Sequence, residues 1–306
     1  MSLPITVIIF TRNEERNLPE TLAAVAWAAE RIVVDSLSTD RTPEIVSKTP
    51  GVTLVSKAFE GGFAAHRNWA LDSVPTAHDW LLLLDADERP SPALVDEITE
   101  LVQRPFQDGD PVGYLLPRRL WLNGRPRRGG RRYDYPMRLI RKGRARYEDR
   151  LVHEHILADG PEGRMQGDLD HRDEKDWARY FERHLRYATL EAEEAWTLLY
   201  GSSEAQKGTL LGSLWSKGPR RNRALKSFAY RYLPFRWVFA FVWFYVLRLG
   251  FLDGRAGFQE CMGRAFYEFQ VGVLLEERRH QAQAEAQAEA HSQDKLPRNT
   301  AGRDAG

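Results

Sequence analysis

A single cysteine, Cys261, stands in 306 residues. That excludes a disulfide framework and a cysteine-based zinc site, and it suits a reducing compartment. No G-x-G-x-x-G follows the first strand-like stretch, which speaks against a dinucleotide cofactor. Met1-Ser2-Leu3-Pro4 lacks the basic segment and cleavable apolar stretch of a secretory signal, so none is expected. Excess charge is also missing: 44 Lys+Arg face 43 Asp+Glu, a formal net charge of +1. Nothing global draws the chain to nucleic acid, and no nucleic-acid partner is expected. The apolar run Trp237–Leu247 is short, spanning only about 17 Å as a helix. A bilayer core needs roughly 20 residues, so a full crossing is not expected.

What is present is a strand of unusual purity. Trp80-Leu81-Leu82-Leu83-Leu84 runs straight into Asp85-Ala86-Asp87-Glu88. Such a run suits a strand buried on both faces of a parallel sheet, with the acids emerging at its carboxyl end. Open α/β sheets bind ligands at that edge. Two carboxylates two residues apart there suit a hard divalent cation, which takes one or two carboxylates plus substrate phosphates. A metal–diphosphate site is therefore expected on this strand end.

The preceding residues repeat the pattern. Strands are expected at Ile5–Phe10, Arg31–Val34 and Thr53–Ser56, with helices from Asn17, from Thr42-Pro43-Glu44, after Gly61-Gly62 and from Ser91-Pro92. Strand and helix alternate four times, which predicts a parallel sheet covered on both faces. Thr11, Asn13 and Glu14 follow strand one, Asp35 follows strand two, and Asp85 and Asp87 follow strand four. Short polar side chains so placed can reach a base, a ribose and a diphosphate. Asp40, before Arg41-Thr42, serves equally as a helix cap.

Thr11-Arg12-Asn13-Glu14-Glu15, Val33-Val34-Asp35-Ser36 through Thr42, Arg67-Asn68 and Leu84–Glu88 together resemble a family 2 glycosyltransferase of the GT-A fold. The resemblance covers about residues 4–275 and lies nearest the lipopolysaccharide-core-type glucosyltransferases. It implies a nucleotide-sugar donor, a divalent metal (Mg²⁺ or Mn²⁺) and inversion at the anomeric carbon. By the same resemblance Asp35 contacts the nucleoside, Arg67 lies near the diphosphate, Asp85 lies near ribose or metal, and Asp87 holds the metal. Ser36 departs from the family, many members of which carry a second aspartate there.

Further strands are expected at Val112–Arg119 and Met137–Arg141. Between them, residues 123–132 carry five arginines, Arg125, Arg127, Arg128, Arg131 and Arg132. Like charges so crowded repel, and an anionic acceptor or phosphate-bearing partner explains them better than a solvated loop. Arg128 and Arg131 are the acceptor-binding candidates. Asp134 and Arg138 join them, because Asp134-Tyr135-Pro136-Met137-Arg138 resembles the subfamily's acceptor cleft. Arg150-Leu151-Val152-His153-Glu154 resembles the subfamily's V-H-E signature, which makes Glu154 the expected general base, with Asp149 as the alternative. His153 and His155 share one strand face and invite a metal reading, but no third ligand lies nearby. Asp170-His171 closes the expected catalytic domain, His171 being either a metal-side or a structural histidine.

The expected organisation is a catalytic domain over 1–172, a helical, basic and aromatic membrane-associating region over 173–279, and a disordered tail over 280–306. Lys217–Arg255 holds nine Lys/Arg against one acid, Asp253. With Trp237–Leu247 inside it, this segment reads as an interfacial helix, or else as a buried helix or dimer interface. Arg248-Leu249-Gly250-Phe251-Leu252-Asp253-Gly254 with Gly257-Phe258 resembles the subfamily's R-G-F-L-D-G-x-x-G-F signature, Leu249 replacing a basic residue. The expected fold class is thus α/β, a GT-A (Rossmann-like nucleotide-diphospho-sugar transferase) domain with a C-terminal membrane-associating region. The expected activity is transfer of a hexose, from UDP-hexose above all, to an anionic lipid-linked acceptor at the membrane surface. A peripheral place on the cytoplasmic face of the inner membrane goes with it. Alternatives are a polyprenyl-phosphate glycosyltransferase and an inactive membrane-bound scaffold of the same fold.

Overall fold

The computed structural model describes residues 2–130, 132–148, 155–173, 177–200, 233 and 235–294. The first four strands are β1 (Leu3–Thr11), β2 (Ala28–Asp35), β3 (Val52–Ser56) and β4 (Trp80–Asp85), with α1 (Leu18–Ala24), α2 (Thr42–Lys48) and α3 (Gly62–Ser73) between them. After them come β5 (Glu88–Pro90), α4 (Pro92–Gln103), β6 (Gly113–Leu115), β7 (Arg118–Leu122), β8 (Arg125–Pro126), β9 (Tyr133–Asp134) and β10 (Met137–Arg141). Short strands β11 (Ala145–Tyr147), β12 (Ile156–Ala158), β13 (Glu162–Arg164) and β14 (Leu169–His171) complete the sheets.

The main sheet has seven strands in the order β13-β6-β10-β4-β1-β2-β3. β4, β1, β2 and β3 are parallel as expected, while β10 joins β4 antiparallel. β4 explains itself by its two faces. Leu82 and Leu84 pack with Leu18, Leu22, Leu94 and Ile98 of α1 and α4. Leu81 and Leu83 pack with Ala64 and Ala70 of α3. All four leucines are at most 2% exposed, each stabilising the fold by about 1.5–3 kcal/mol. The chain lays β2 and β3 on one side of β1 and then returns to place β4 on the other. That reversal opens a crevice at the carboxyl ends of β1 and β4. A smaller sheet, β5-β14-β7-β8 with β9 on β7, stands beside it.

The chain divides into two compact units, Met1–Arg183 with Val238–Ala265, and His184–Trp237 with Phe266–Gly306. Val238–Ala265 thus groups with the sheets, on the far side of the boundary expected at residue 172. The arginine-rich loop supplies the reason. Arg127 is buried, and its guanidinium grips Glu260 with both ends (3.0 and 2.8 Å), while Arg264 Nε reaches the same carboxylate at 2.6 Å. Asp253 accepts the backbone N–H groups of Arg128 (2.7 Å) and Gly129 (3.0 Å), and the Gly130 N–H donates to Arg248 C=O (2.7 Å). A Cβ on Gly257 would lie 2.1 Å from Gly250 O, and one on Gly129 1.8 Å from Leu249 O. The glycines and the aspartate of the terminal signature therefore let two backbones touch. Arg127 is a clasp, not a free anion-binding group.

Burial pushes the Glu260 carboxyl up, but Arg264 and Arg127 outweigh it and hold it below the ordinary glutamate value of 4.5. A depressed folded value contributes stability that is present above the unfolded value and lost as pH falls through the folded one. Unfolding midpoints measured from pH 7 down to 3 should show this loss below about pH 4.5. Glu260→Gln should flatten that part of the profile, and an unchanged slope would contradict the clasp.

In the second unit, Ala188 and Ala192 of α5 (Trp177–Tyr200) pack on Val271. The Tyr267 hydroxyl donates to Glu191, and the His184 ring meets Tyr267 edge-on at 5.9 Å. Helix α6 (Arg236–Phe241) passes into a π-turn (Val242–Leu247), a 3₁₀ turn covers Gly250–Asp253, and α7 runs Gly254–Asp294. The tail expected to be disordered from 280 is helical to Asp294, because Ala, Gln and Glu are strong helix formers. The buried-helix alternative for Trp237–Leu247 is also corrected: none of its residues is buried. The basic residues from Lys217 to Arg231 lie outside the described residues. Among the described residues, no single helix is long and apolar enough to cross a membrane.

Candidate active site

The parallel register brings the expected donor residues to one edge. Thr11 faces Asp35 across β1–β2, and Phe10 faces Asp85 across β1–β4. Asp35 is 1% exposed and its carboxylate is engaged. Thr11 Oγ1 donates to it at 2.8 Å, and the Ser38 hydroxyl and N–H donate at 2.5 and 2.8 Å. The loops after β1 and β2 are zipped together. The Asn13 N–H donates to Ser38, the Asn13 side-chain oxygen accepts the Thr39 N–H (2.8 Å), and the Glu14 N–H donates to Thr42 Oγ1 (2.8 Å). Asp40 accepts from Thr42 and from the Glu15 N–H, but it is not the cap expected: the N-cap position of α2 is Arg41, and Asp40 lies one residue ahead of it. Ser36 hydrogen-bonds His66 (3.2 Å), whose buried ring lies among Phe10, Phe59 and Trp69.

Asp85 lies in an ionic chain. Its two oxygens meet Arg67 Nη2 at 2.5 Å and Arg138 Nη2 at 2.6 Å. Arg138 continues to Glu88 (2.7 Å), Glu88 to Arg118 (2.7 Å), and Arg118 to Asp134 through a two-point contact of 2.8 and 2.6 Å. Burial raises the Asp85 carboxyl, but Arg138 and then Arg67 outweigh it and hold it below the usual carboxylate value. Arg67 is fixed between the rings of Phe10 and Tyr147, 5.3 Å from each. Its neighbour Asn68 donates to Tyr147 C=O and accepts the Tyr147 N–H, both at 2.9 Å. The Arg-Asn pair on α3 thus ties the donor edge to β11.

Asp87 is 8% exposed and faces His171 Nε2 at 3.3 Å. Burial lowers the His171 pKa, but the Asp87 charge outweighs it and raises the value above the ordinary imidazole. The Arg172 N–H holds Asp87 C=O at 2.8 Å, and Thr21 Oγ1 holds Ala86 C=O at 2.6 Å. These bonds set the turn that aims Asp87.

Four expected residues thus share one chain of contacts: Arg67, Asp85, Arg138 and Asp134. Arg128 stands apart from them, exposed, on the loop held by Asp253. Arg131, Asp149, His153 and Glu154 lie outside the described residues. Glu88 and Arg118 had no expected role. The third acid of Leu84-Asp85-Ala86-Asp87-Glu88 was visible, but only the β5 pairing turns it inward. Among the described residues, no three His, Cys, Asp or Glu converge on one point as a metal cage. At the end of β4, Asp85 is occupied by two guanidiniums, and the Asp87 carboxylate is the hard oxygen donor that Mg²⁺ or Mn²⁺ would take, water and substrate phosphate oxygens completing the shell.

A doubly covered, mostly parallel sheet with aspartates and arginines at its crevice is the architecture of the GT-A class. Residues 6–153 match the domain described as glycosyl transferase family 2. The chain is 30% identical over 200 residues to the lipopolysaccharide core biosynthesis glycosyltransferase LpsC of Rhizobium meliloti, covering 63% of this chain and 72% of that protein. It is 34% identical over 105 residues to an uncharacterized glycosyltransferase of Rickettsia bellii, 34% of each chain. Similar solved structures include the mannosyltransferase PcManGT from Pyrobaculum calidifontis in complex with GDP-Man and Mn²⁺, at 16% identity and TM-score 0.48 over 90% of this chain and 87% of that one. S. aureus TarS 1–349 follows at 17% identity and TM-score 0.42, over 92% of each. The chain belongs to glycosyl transferase family 2 and is a glycosyltransferase.

Proposed function

We propose that the enzyme transfers a hexose, with inversion, from a nucleotide-diphosphate sugar (UDP-hexose first) to an anionic membrane glycolipid such as a lipopolysaccharide core. It would work peripherally on the cytoplasmic face of the inner membrane. The observation that supports this most is the placing of Asp85, Asp87 and Arg67 at the β1/β4 crevice, beside the Thr11–Asp35 edge. In this reading Thr11, Asn13, Glu14 and Asp35 shape the nucleoside end, and Arg67 meets the diphosphate. Asp87 holds a divalent cation, with Asp85 beside it. When bound, that cation supplies charge stabilisation to the departing diphosphate.

Glu154, or Asp149 in its place, takes the proton of the acceptor hydroxyl as its oxygen bonds the anomeric carbon. The bond from that carbon to the diphosphate oxygen breaks on the opposite face, and the nucleoside diphosphate leaves with the electron pair. Arg128 and Arg131 hold anionic groups of the acceptor, and Asp134 and Arg138 border its cleft.

Thermal-shift titration with UDP-, GDP- and ADP-sugars, with and without Mn²⁺, tests the donor reading. One nucleotide sugar should raise the melting temperature only with the metal, and Asp87→Asn should remove that rise. No stabilisation by any donor would favour an inactive scaffold.

A further inference from the structure

The first unit carries an apolar surface that the chemistry of the cleft does not use. Across α6, its π-turn and the 3₁₀ turn, Phe239, Trp243, Leu247, Leu249, Phe251 and Leu252 all face solvent, Leu247 at 63% and Phe239 at 58%. Isolated exposed hydrophobics are ordinary, but a contiguous run of large ones marks an interaction surface. Leu249 sharpens the point. It adopts a left-handed backbone (φ 59°), a conformation that glycine or asparagine takes at far lower cost. A leucine held there and left 49% exposed serves something outside the fold.

Charge identifies the occupant. Arg248 and Arg255 flank this turn and are exposed, as is Arg128 on the adjoining loop. The acid within this turn, Asp253, is committed to the backbone N–H groups of Arg128 and Gly129. Among the described residues of this turn and loop, 123–130 and 248–258, Arg128, Arg248 and Arg255 are exposed cations and the acid, Asp253, is already engaged. In a twofold contact between copies these cations would face one another and repel. An anionic phospholipid leaflet complements both parts, acyl chains taking the leucines and phenylalanines and phosphates taking the arginines. The twelve residues of α6 and its π-turn reach only about 18 Å, short of the roughly 30 Å hydrocarbon core.

We propose that Phe239–Leu252 lies in one leaflet of an anionic membrane, the Leu247–Leu252 turn inserted and Arg248 and Arg255 at phosphate depth. This names the surface behind the peripheral placement proposed above and rests on that reading. Through Asp253 and the Arg127–Glu260 clasp, the inserted turn is bonded directly to the arginine loop. Docking therefore sets that loop at the height of lipid headgroups.

The test is flotation of the full chain with vesicles of phosphatidylcholine alone or with about one-third phosphatidylglycerol, at low and high salt. Wild type should float with the anionic vesicles, and Leu249→Glu/Leu252→Glu should lower binding more than about 100-fold. Arg248→Gln/Arg255→Gln should lower it on anionic vesicles by about 25-fold, roughly fivefold per cation, and remove the salt dependence. Wild type failing to float, or the leucine pair floating unchanged, overturns the proposal. So does a wild-type dimer in sedimentation velocity that the leucine pair dissociates. Donor binding with Mn²⁺, measured in parallel, separates the two readings. Vesicle failure with donor binding intact sinks only the docking surface, and the reverse sinks only the enzymatic reading.

Discussion

Glu154→Gln is expected to lower transfer by about 10²–10⁴-fold and to leave donor affinity unchanged. Glutamine has the same size and reach as glutamate but cannot accept the acceptor's proton, so the loss falls on turnover and not on binding. The result also separates two acceptors. A sugar hydroxyl must lose a proton as it attacks, whereas a polyprenyl phosphate is already ionised and needs no base. Steady-state transfer by Glu154→Gln and Asp149→Asn, each with donor affinity measured by calorimetry, decides it. Loss in Asp149→Asn alone would move the base to Asp149. Nearly full turnover in both would favour the phosphate acceptor.

Glu88→Gln is expected to destabilise the first unit by about 3–5 kcal/mol, a fall in melting temperature of about 6 °C or more. Glu88 is 0% exposed and lies 2.7 Å from both Arg118 and Arg138. It also accepts the Asp85 N–H at 3.0 Å. An amide there removes the charge that two buried guanidiniums share, and its NH₂ group must face a donor. Removing one partner of a buried ion pair costs more than the pair itself contributes, because the remaining charge stays desolvated. Urea denaturation of wild type and variant gives the value. A difference below about 1 kcal/mol, the scale of a surface pair, would show that the chain Arg67–Asp85–Arg138–Glu88–Arg118 contributes little to the fold. Since Arg138 links Glu88 to Asp85, the variant should also weaken donor binding.

Much of this protein was legible from local pattern. The five-residue apolar run before Asp85, the β-branched runs of β1 and β2 and the proline-marked helix starts each depend on neighbours in sequence. Strand period and capping chemistry are local properties, so the four parallel strands and the acids at their ends could be read directly. The family pattern added the roles proposed for Asp35, Arg67 and Asp87, and Asp85 and Asp87 do emerge where β4 leaves the core.

What sequence could not reveal was which charges face each other. Arg127 and Arg128 are adjacent and alike in composition, yet one is buried on Glu260, 133 positions away, and the other lies in solvent. Asp253 had no visible partner until the loop at Arg128 and Gly129 folded onto it. Glu88 turned inward because β14 pairs with β5. Local spacing decides which elements form and which residues stand at their ends. The partner of a buried charge is decided by chain segments far apart in sequence, since desolvation forces each such charge onto whatever opposite group the packed fold brings to it.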